Sequence, residues 1–109
     1  MWSEVSLTFG RRKPDGREVT FAQWEGFVRS EVVPRFPEGF SVIDVAGGWY
    51  DAKSGRTIEE RSKRLSVVLD VSPDNVDLQP WRDLAARYKG LFQQEAVMLT
   101  ITPADVQFI

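Results

Sequence analysis

The stretch FSVIDVAGGWYDAKSGRTIEERSKRLSVVLDV, residues Phe40 to Val71, reads as two strands joined by a tight turn. Lys53-Ser54-Gly55-Arg56 has turn composition, and its flanks are rich in β-branched and aromatic residues. Phe40 to Val45 are expected to form the first strand, with Ile43 and Val45 on one face. The second runs from about Ile58 to Val71. Leu65, Val67, Leu69 and Val71 share one of its faces, and Ser62, Arg64, Ser66 and Val68 take the other. No helical pattern separates the two strands, so they pair as an antiparallel hairpin.

Strand and helix signals lie on either side of this hairpin. Upstream, Val5, Leu7 and Phe9 alternate with Ser6 and Thr8, the pattern of a half-buried strand. Thr20 then opens a helix, with Gln23 placed to complete a capping box. Phe21, Trp24, Phe27 and Val28 follow at helical spacing, and Pro34 is expected to stop the helix near Val33. Downstream, Pro80 suits a first helical position, and Trp81, Leu84, Ala85 and Tyr88 form an apolar stripe that Gly90 weakens near its end. Val97, Leu99 and Ile101 alternate as a last strand, ended by Pro103, with Val106 and Phe108 as a short edge piece.

The order is therefore βαββαβ. With right-handed crossovers it gives an α+β, ferredoxin-like fold: a four-stranded antiparallel sheet with two helices on one face. The 109 residues suffice for a single domain, 1–109, with one core. The other sheet face is expected to carry the even positions Ser6, Thr8, Val42, Asp44, Ala46, Ser66, Val68, Met98 and Thr100. It is too apolar to meet only water and too polar to be a core, so it is expected to meet another subunit in a homo-oligomer.

Composition removes several kinds of chemistry. The chain has no cysteine and no histidine, which excludes disulfides, thiolate nucleophiles and histidine-dependent triads. A zinc site is not expected. Asp51, Glu59 and Glu60 would hold a magnesium-like ion at best. Net charge is −2, from 14 basic and 16 acidic residues, which argues against broad binding to nucleic acid or an anionic membrane. The basic cluster Arg11, Arg12 and Lys13 precedes the turn Pro14-Asp15-Gly16 and reads as a solvated loop. No apolar run approaches membrane-spanning length, and Met1 to Val5 lacks the pattern of a leader, so a cytoplasmic location is expected.

Gly47-Gly48-Trp49-Tyr50-Asp51, facing Glu59-Glu60-Arg61-Ser62 across the hairpin, is the most unusual part of the chain. By strict alternation Tyr50 and Glu60 both project from the open sheet face, as a polar site or as a solvated cross-strand pair. Paired glycines suggest a bulge or a close approach by a ligand or another backbone, and a bulge would give the outward place to Trp49 instead. Trp49 is the candidate stacking surface, whereas Trp24 and Trp81 sit on helix stripes and belong to the core. The glycines are not a phosphate loop, because no Lys-Ser/Thr and no helix follow them.

Two resemblances extend this reading. Pro34-Arg35-Phe36-Pro37-x-Gly39, Gly47-x-Trp49, Glu60-x-Ser62-Lys63 and Tyr88-Lys89-x-x-Phe92-x-Gln94-Glu95-x-Val97 together resemble a bacterial and phage family known as domain of unknown function 3574. That resemblance covers nearly the whole chain and supports the fold. The second is shorter. Gly47-x-x-Tyr50 followed by Glu59-Glu60-x-Ser62 is similar to the site segment of phage-encoded S-adenosylmethionine lyases. Those proteins also place two helices on one sheet face and assemble as trimers with sites between subunits. Aligned without a gap, the family tyrosine falls on Trp49, one place before Tyr50.

The second resemblance implies an enzyme that splits S-adenosylmethionine into methylthioadenosine and homoserine lactone, without a cofactor or metal. It implies Tyr50 and Glu60 as catalytic residues. Trp49, Asp44, Gly47, Gly48 and Ser62 would bind substrate, with Asp44 on the substrate ammonium. The partners it implies are S-adenosylmethionine and further copies of the chain, in a trimer. The alternative from the residues alone is a non-enzymatic homo-oligomer that binds a small molecule or protein through the open face.

Overall fold

The computed structural model describes residues 1–109. Four strands, β1 (Trp2–Gly10), β2 (Ser41–Asp51), β3 (Arg56–Leu69) and β4 (Met98–Ala104), form one sheet in the order β2-β3-β1-β4, every neighbouring pair antiparallel. The first helical stretch comprises α1 (Phe21–Phe27), a π-helical turn (Val28–Val32) and α2 (Val33–Arg35). The second is α3 (Gln79–Phe92). This is the ferredoxin-like α+β fold expected from the order of the elements.

The inward face of β1 supplies Val5, Leu7 and Phe9, all fully buried. Phe9 is the centre of an aromatic cluster: its ring lies 4.6 Å from Tyr88, 5.5 Å from Trp24 and 5.7 Å from Phe27. Each such side chain contributes on the order of 1.5–3 kcal/mol by leaving water. Of the helix stripes read from the sequence, Trp24, Phe27, Val28, Trp81, Leu84, Ala85 and Tyr88 pack here, whereas Phe21, in the first turn of α1, is 70% exposed and lies outside the core. Thr20 caps α1 as expected, accepting from the Gln23 N–H while Gln23 Oε1 accepts from the Thr20 N–H.

Several local expectations are corrected. Pro34 does not end the helix at Val33. The chain widens into the π turn, the Val33 N–H reaches Val28 O, and Pro34 fits into the terminal turn α2. Pro103 does not end β4 either: it pairs with Ser3, and β4 is an edge strand with one unpaired side. Val106 and Phe108 form no strand, and the Phe108 ring instead packs edge-on against Trp2 at 5.9 Å. The basic loop is only partly solvated. Arg11 donates to Val19 O through Nε and Nη2 and lies 3.5 Å from Glu18.

The correction that matters most concerns β2. Its pairing with β3 is unbroken from Ser41↔Ser66 to Asp51↔Arg56, so the glycines make no bulge. Directly opposed residues share a face. Leu65 faces Leu7 on one side and Val42 on the other, so Val42 points toward the helices. Alternation then carries Asp44, Ala46, Gly48 and Tyr50 to the helix side and Ile43, Val45, Gly47 and Trp49 to the open side. The expected even-numbered face holds for β1, β3 and β4 and is inverted for β2. Val42 packs against the core, and Ile43 is half exposed.

The sheet is widest at its middle. Gly10 is the last β1 residue paired with β3, opposite Ser62. Beyond Ser62 and Val45, β3 and β2 continue alone as a two-stranded arm that turns at Gly55, where φ is +70°. The arm gives the molecule its long axis of 46 Å against 30 and 26 Å.

Candidate functional site at the base of the hairpin arm

Within the arm, alternation sorts the side chains singled out in the sequence onto two faces. On the open face, Trp49 lies diagonal to Glu60, and its indole N–H donates to Glu60 Oε1 at 3.1 Å. Gly47 sits directly opposite Glu60, and Ser62 follows on the same face of β3. Trp49 is 51 % exposed, so its ring is available to a ligand while its N–H holds the carboxylate.

The two glycines have different jobs. A Cβ on Gly47 would meet nothing within 4 Å, which leaves open surface beside Trp49 and Glu60. A Cβ on Gly48 would lie 3.1 Å from Ile58 O and 3.5 Å from Thr57 Cγ2. A side chain there would press on the β3 backbone, which would have to give by a few tenths of an ångström.

Tyr50 does not join this group. It projects from the helix side of the arm, 67 % exposed, with its hydroxyl over the turn at Gly55. Asp44 is on that side as well, bound to Lys63. The Lys63 hydrogen bond and charge, with smaller contributions from Arg11 and Arg61, hold the Asp44 carboxyl below its ordinary range. The structure thus brings Trp49, Glu60, Gly47 and Ser62 together and separates Tyr50, Asp44 and Gly48 from them within one chain. Glu59 and Glu60 alternate across the strand, so Asp51, Glu59 and Glu60 do not converge.

Glu60 and Ser62 also line a shallow groove of about 780 Å³ that runs past the end of β1. Thr8, Met98, Arg12 and Gln94 contribute to it, as do further residues of both charges. Arg12, Lys13 and Gln94 were not among the sequence candidates for a site. Gln94 donates to Arg12 O at 2.8 Å and to Phe92 O at 3.1 Å, which ties the loop after α3 to the basic loop. Its sequence signal is its place in the family motif that runs from Tyr88 to Val97; in the structure it follows Gln93, a left-handed helix cap with φ of +52°. Nearby, Tyr88 donates to Gly10 O at 2.7 Å and anchors the end of β1.

The four-stranded antiparallel sheet with its helices defines the class: an α+β protein of ferredoxin-like fold. The particular family follows from its sequence: the chain belongs to the family described as Protein of unknown function (DUF3574), whose model matches residues 4–108. Among solved structures it is similar to a phage SAM lyase in complex with S-methyl-5'-thioadenosine. The TM-score is 0.63 at 18% identity, over 93% of this chain and 80% of that one. It is also similar to a phage SAM lyase in the apo state, with a TM-score of 0.56 at 16% identity, over 92% of this chain and 78% of that one. At these identities the likeness is one of fold. No curated protein sequence matches the chain.

Proposed function

We propose that the chain is a lyase-like enzyme acting on S-adenosylmethionine, with its site at the base of the hairpin arm. The observation that carries the reading is the Trp49–Glu60 pair on the open face, in a fold shared with phage SAM lyase. A sulfonium is attracted by a carboxylate and by an aromatic face, the latter worth about 0.5–2 kcal/mol. Here both are adjacent, and the groove beside them carries both signs of charge, as a zwitterionic sulfonium substrate requires.

The reaction needs no group that the composition lacks. The substrate carboxylate attacks its own γ-carbon. A C–O bond forms, the C–S bond breaks, and its electron pair returns to sulfur, giving neutral methylthioadenosine and homoserine lactone. The protein has to hold the folded conformer and limit water, which can supply several kcal/mol of the barrier. Glu60 and Trp49 face the sulfonium, and Gly47 and Ser62 complete the wall. Tyr50 faces away from this pair, so a catalytic role for it requires a ligand held by a neighbouring copy in a homo-oligomer, with a trimer favoured. Tyr50 orients the amino-acid part, whereas Asp44, six residues along β2 and about 20 Å away, is held by Lys63 and is too distant to bind the same group.

Incubation of the purified protein with S-adenosylmethionine, followed by chromatography, tests the reading. Methylthioadenosine should accumulate, and Glu60→Gln should slow it by about 100-fold, the usual cost of one preorganised electrostatic group. No product above the background rate would refute the activity. Full activity in both Glu60→Gln and Tyr50→Phe would refute the site. A second reading, a non-enzymatic binding module, draws on the half-exposed Ile43, Val68 and Met98 of the open face. A ligand that raises the Tm and is recovered unchanged would favour it.

A further inference from the structure

A second groove lies on the opposite side of the sheet, far from the arm in topology. It is bounded by α3 and β4 and has a volume of about 390 Å³. Such a volume is at the small end for ligand sites. Its apolar lining includes Trp81, Ala85, Val97 and Leu99. The groove exists because α3 carries alanines where it passes the sheet edge: Ala85 and Ala86 leave a gap that larger side chains would fill.

Two cations border this apolar floor, Arg82 and Lys89. They are seven residues apart on α3, two turns along one side of the helix and about 10 Å of rise. The ion pairs of the chain engage Arg11, Arg17, Arg35, Lys63 and Arg87, but neither Arg82 nor Lys89. A further polar group is also unsatisfied. Trp81 is 4% exposed, lines the groove, and has an indole N–H with no acceptor. A buried donor left unpaired costs about 1–3 kcal/mol.

We propose that this groove is a binding site for a free aliphatic carboxylate of medium length. The acyl chain lies on Ala85, Val97 and Leu99, and the carboxylate pairs with Arg82 or Lys89. A second copy seated by a two-fold contact fits less well. In a two-fold contact each patch meets itself, so the unpaired cations would face their own counterparts. The inference stands apart from the lyase reading and shares no residue with it.

Titration calorimetry with octanoate, octan-1-ol and octyltrimethylammonium tests the proposal. Octanoate should bind saturably at one site, about tenfold or more tighter than the alcohol, and the ammonium should not bind. Arg82→Ser with Lys89→Ser should abolish the preference for the carboxylate while leaving the circular dichroism unchanged. Ala85→Phe should fill the groove and remove binding altogether. Equal affinity for acid and alcohol, or octanoate binding untouched by Ala85→Phe, would overturn the proposal. So would the absence of saturable binding at millimolar octanoate. Sedimentation of Ala85→Phe covers the remaining occupant: a fall in mass relative to the unsubstituted chain would give the groove to a second copy.

Discussion

At the scale of single residues, Tyr88 shows how a core side chain also shapes the site. Its ring fills the aromatic cluster, and its hydroxyl fixes Gly10, the β1 residue that borders the Glu60 groove. Burial pushes the phenol well above its ordinary range, so it stays a protonated donor. The folded state therefore holds this proton more tightly than the unfolded state. That contribution is complete below the unfolded phenol pKa of about 10 and is lost as pH rises beyond it. Tyr88→Phe should cost about 1–2 kcal/mol in urea unfolding at neutral pH, because Gly10 O loses its donor. It should also flatten the decline in stability above pH 10, and an unchanged alkaline slope would contradict the assignment. The sequence marked Tyr88 as core through its helical spacing, but the hydroxyl's partner lies 78 residues away. Trp49 and Tyr50 illustrate the limit more sharply. Both are aromatic and adjacent, and nothing local says which of them faces Glu60.

At the scale of elements, the arm is a hairpin without a third strand. Such a ribbon is marginal alone and takes its order from the sheet at its base. Gly48 is the position where it has least room. Gly48→Ala should disturb the pairing at Ile58 and Thr57, and speed hydrogen exchange in the arm while the core amides stay protected. Gly47→Ala, with open space around its new methyl, should leave exchange unchanged and stability within about 0.5 kcal/mol. Equal behaviour of the two variants would refute the close approach at Gly48. The sequence left two uses open for these glycines, a bulge or a close approach by a ligand or another backbone. The observed use is a close strand approach without any register change. The inverted face of β2 has a similar origin. Val42, Ile43, Val45 and Ala46 are all apolar around Asp44, so the segment has no clean alternation to read. The register against Leu65 decides it.

At the scale of the whole molecule, the open face combines half-exposed Ile43, Trp49, Val68 and Met98 with Ser6, Ser66, Thr8 and Arg64. Part of its polar content is satisfied within the sheet. Ser6 Oγ and Ser66 Oγ are 2.8 Å apart, and Arg64 Nε donates to Thr8 Oγ1 at 3.1 Å. A face whose polar groups are paired and whose apolar groups are bare is suited to another protein surface. Beside it, β2 is an edge strand of 11 residues with no proline, the kind of edge that pairs with a further chain unless blocked. The chain should therefore self-associate, and sedimentation velocity should show mass rising with concentration. Ile43→Lys with Val68→Lys should return it to the monomer with unchanged circular dichroism. A monomer at every concentration in the unsubstituted chain would remove the homo-oligomer, and with it the role of Tyr50 toward a neighbouring site.

The sequence by itself determined the order βαββαβ, the capping of α1, the buried stripes of the helices apart from the exposed Phe21, and the inward face of β1. Each of these depends on local spacing, and burial of apolar residues at a period of two or near 3.6 enforces it. It also marked the hairpin as the place where chemistry can sit. Only the tertiary structure decided that Trp49, not Tyr50, stands beside Glu60, and that Asp44 belongs to Lys63. The reason is that strand alternation fixes relative facing within a strand, whereas absolute facing is set by cross-strand partners far away in sequence. In β2 that partner is Leu65, itself held by Leu7, and the whole disposition of the candidate site follows from this register.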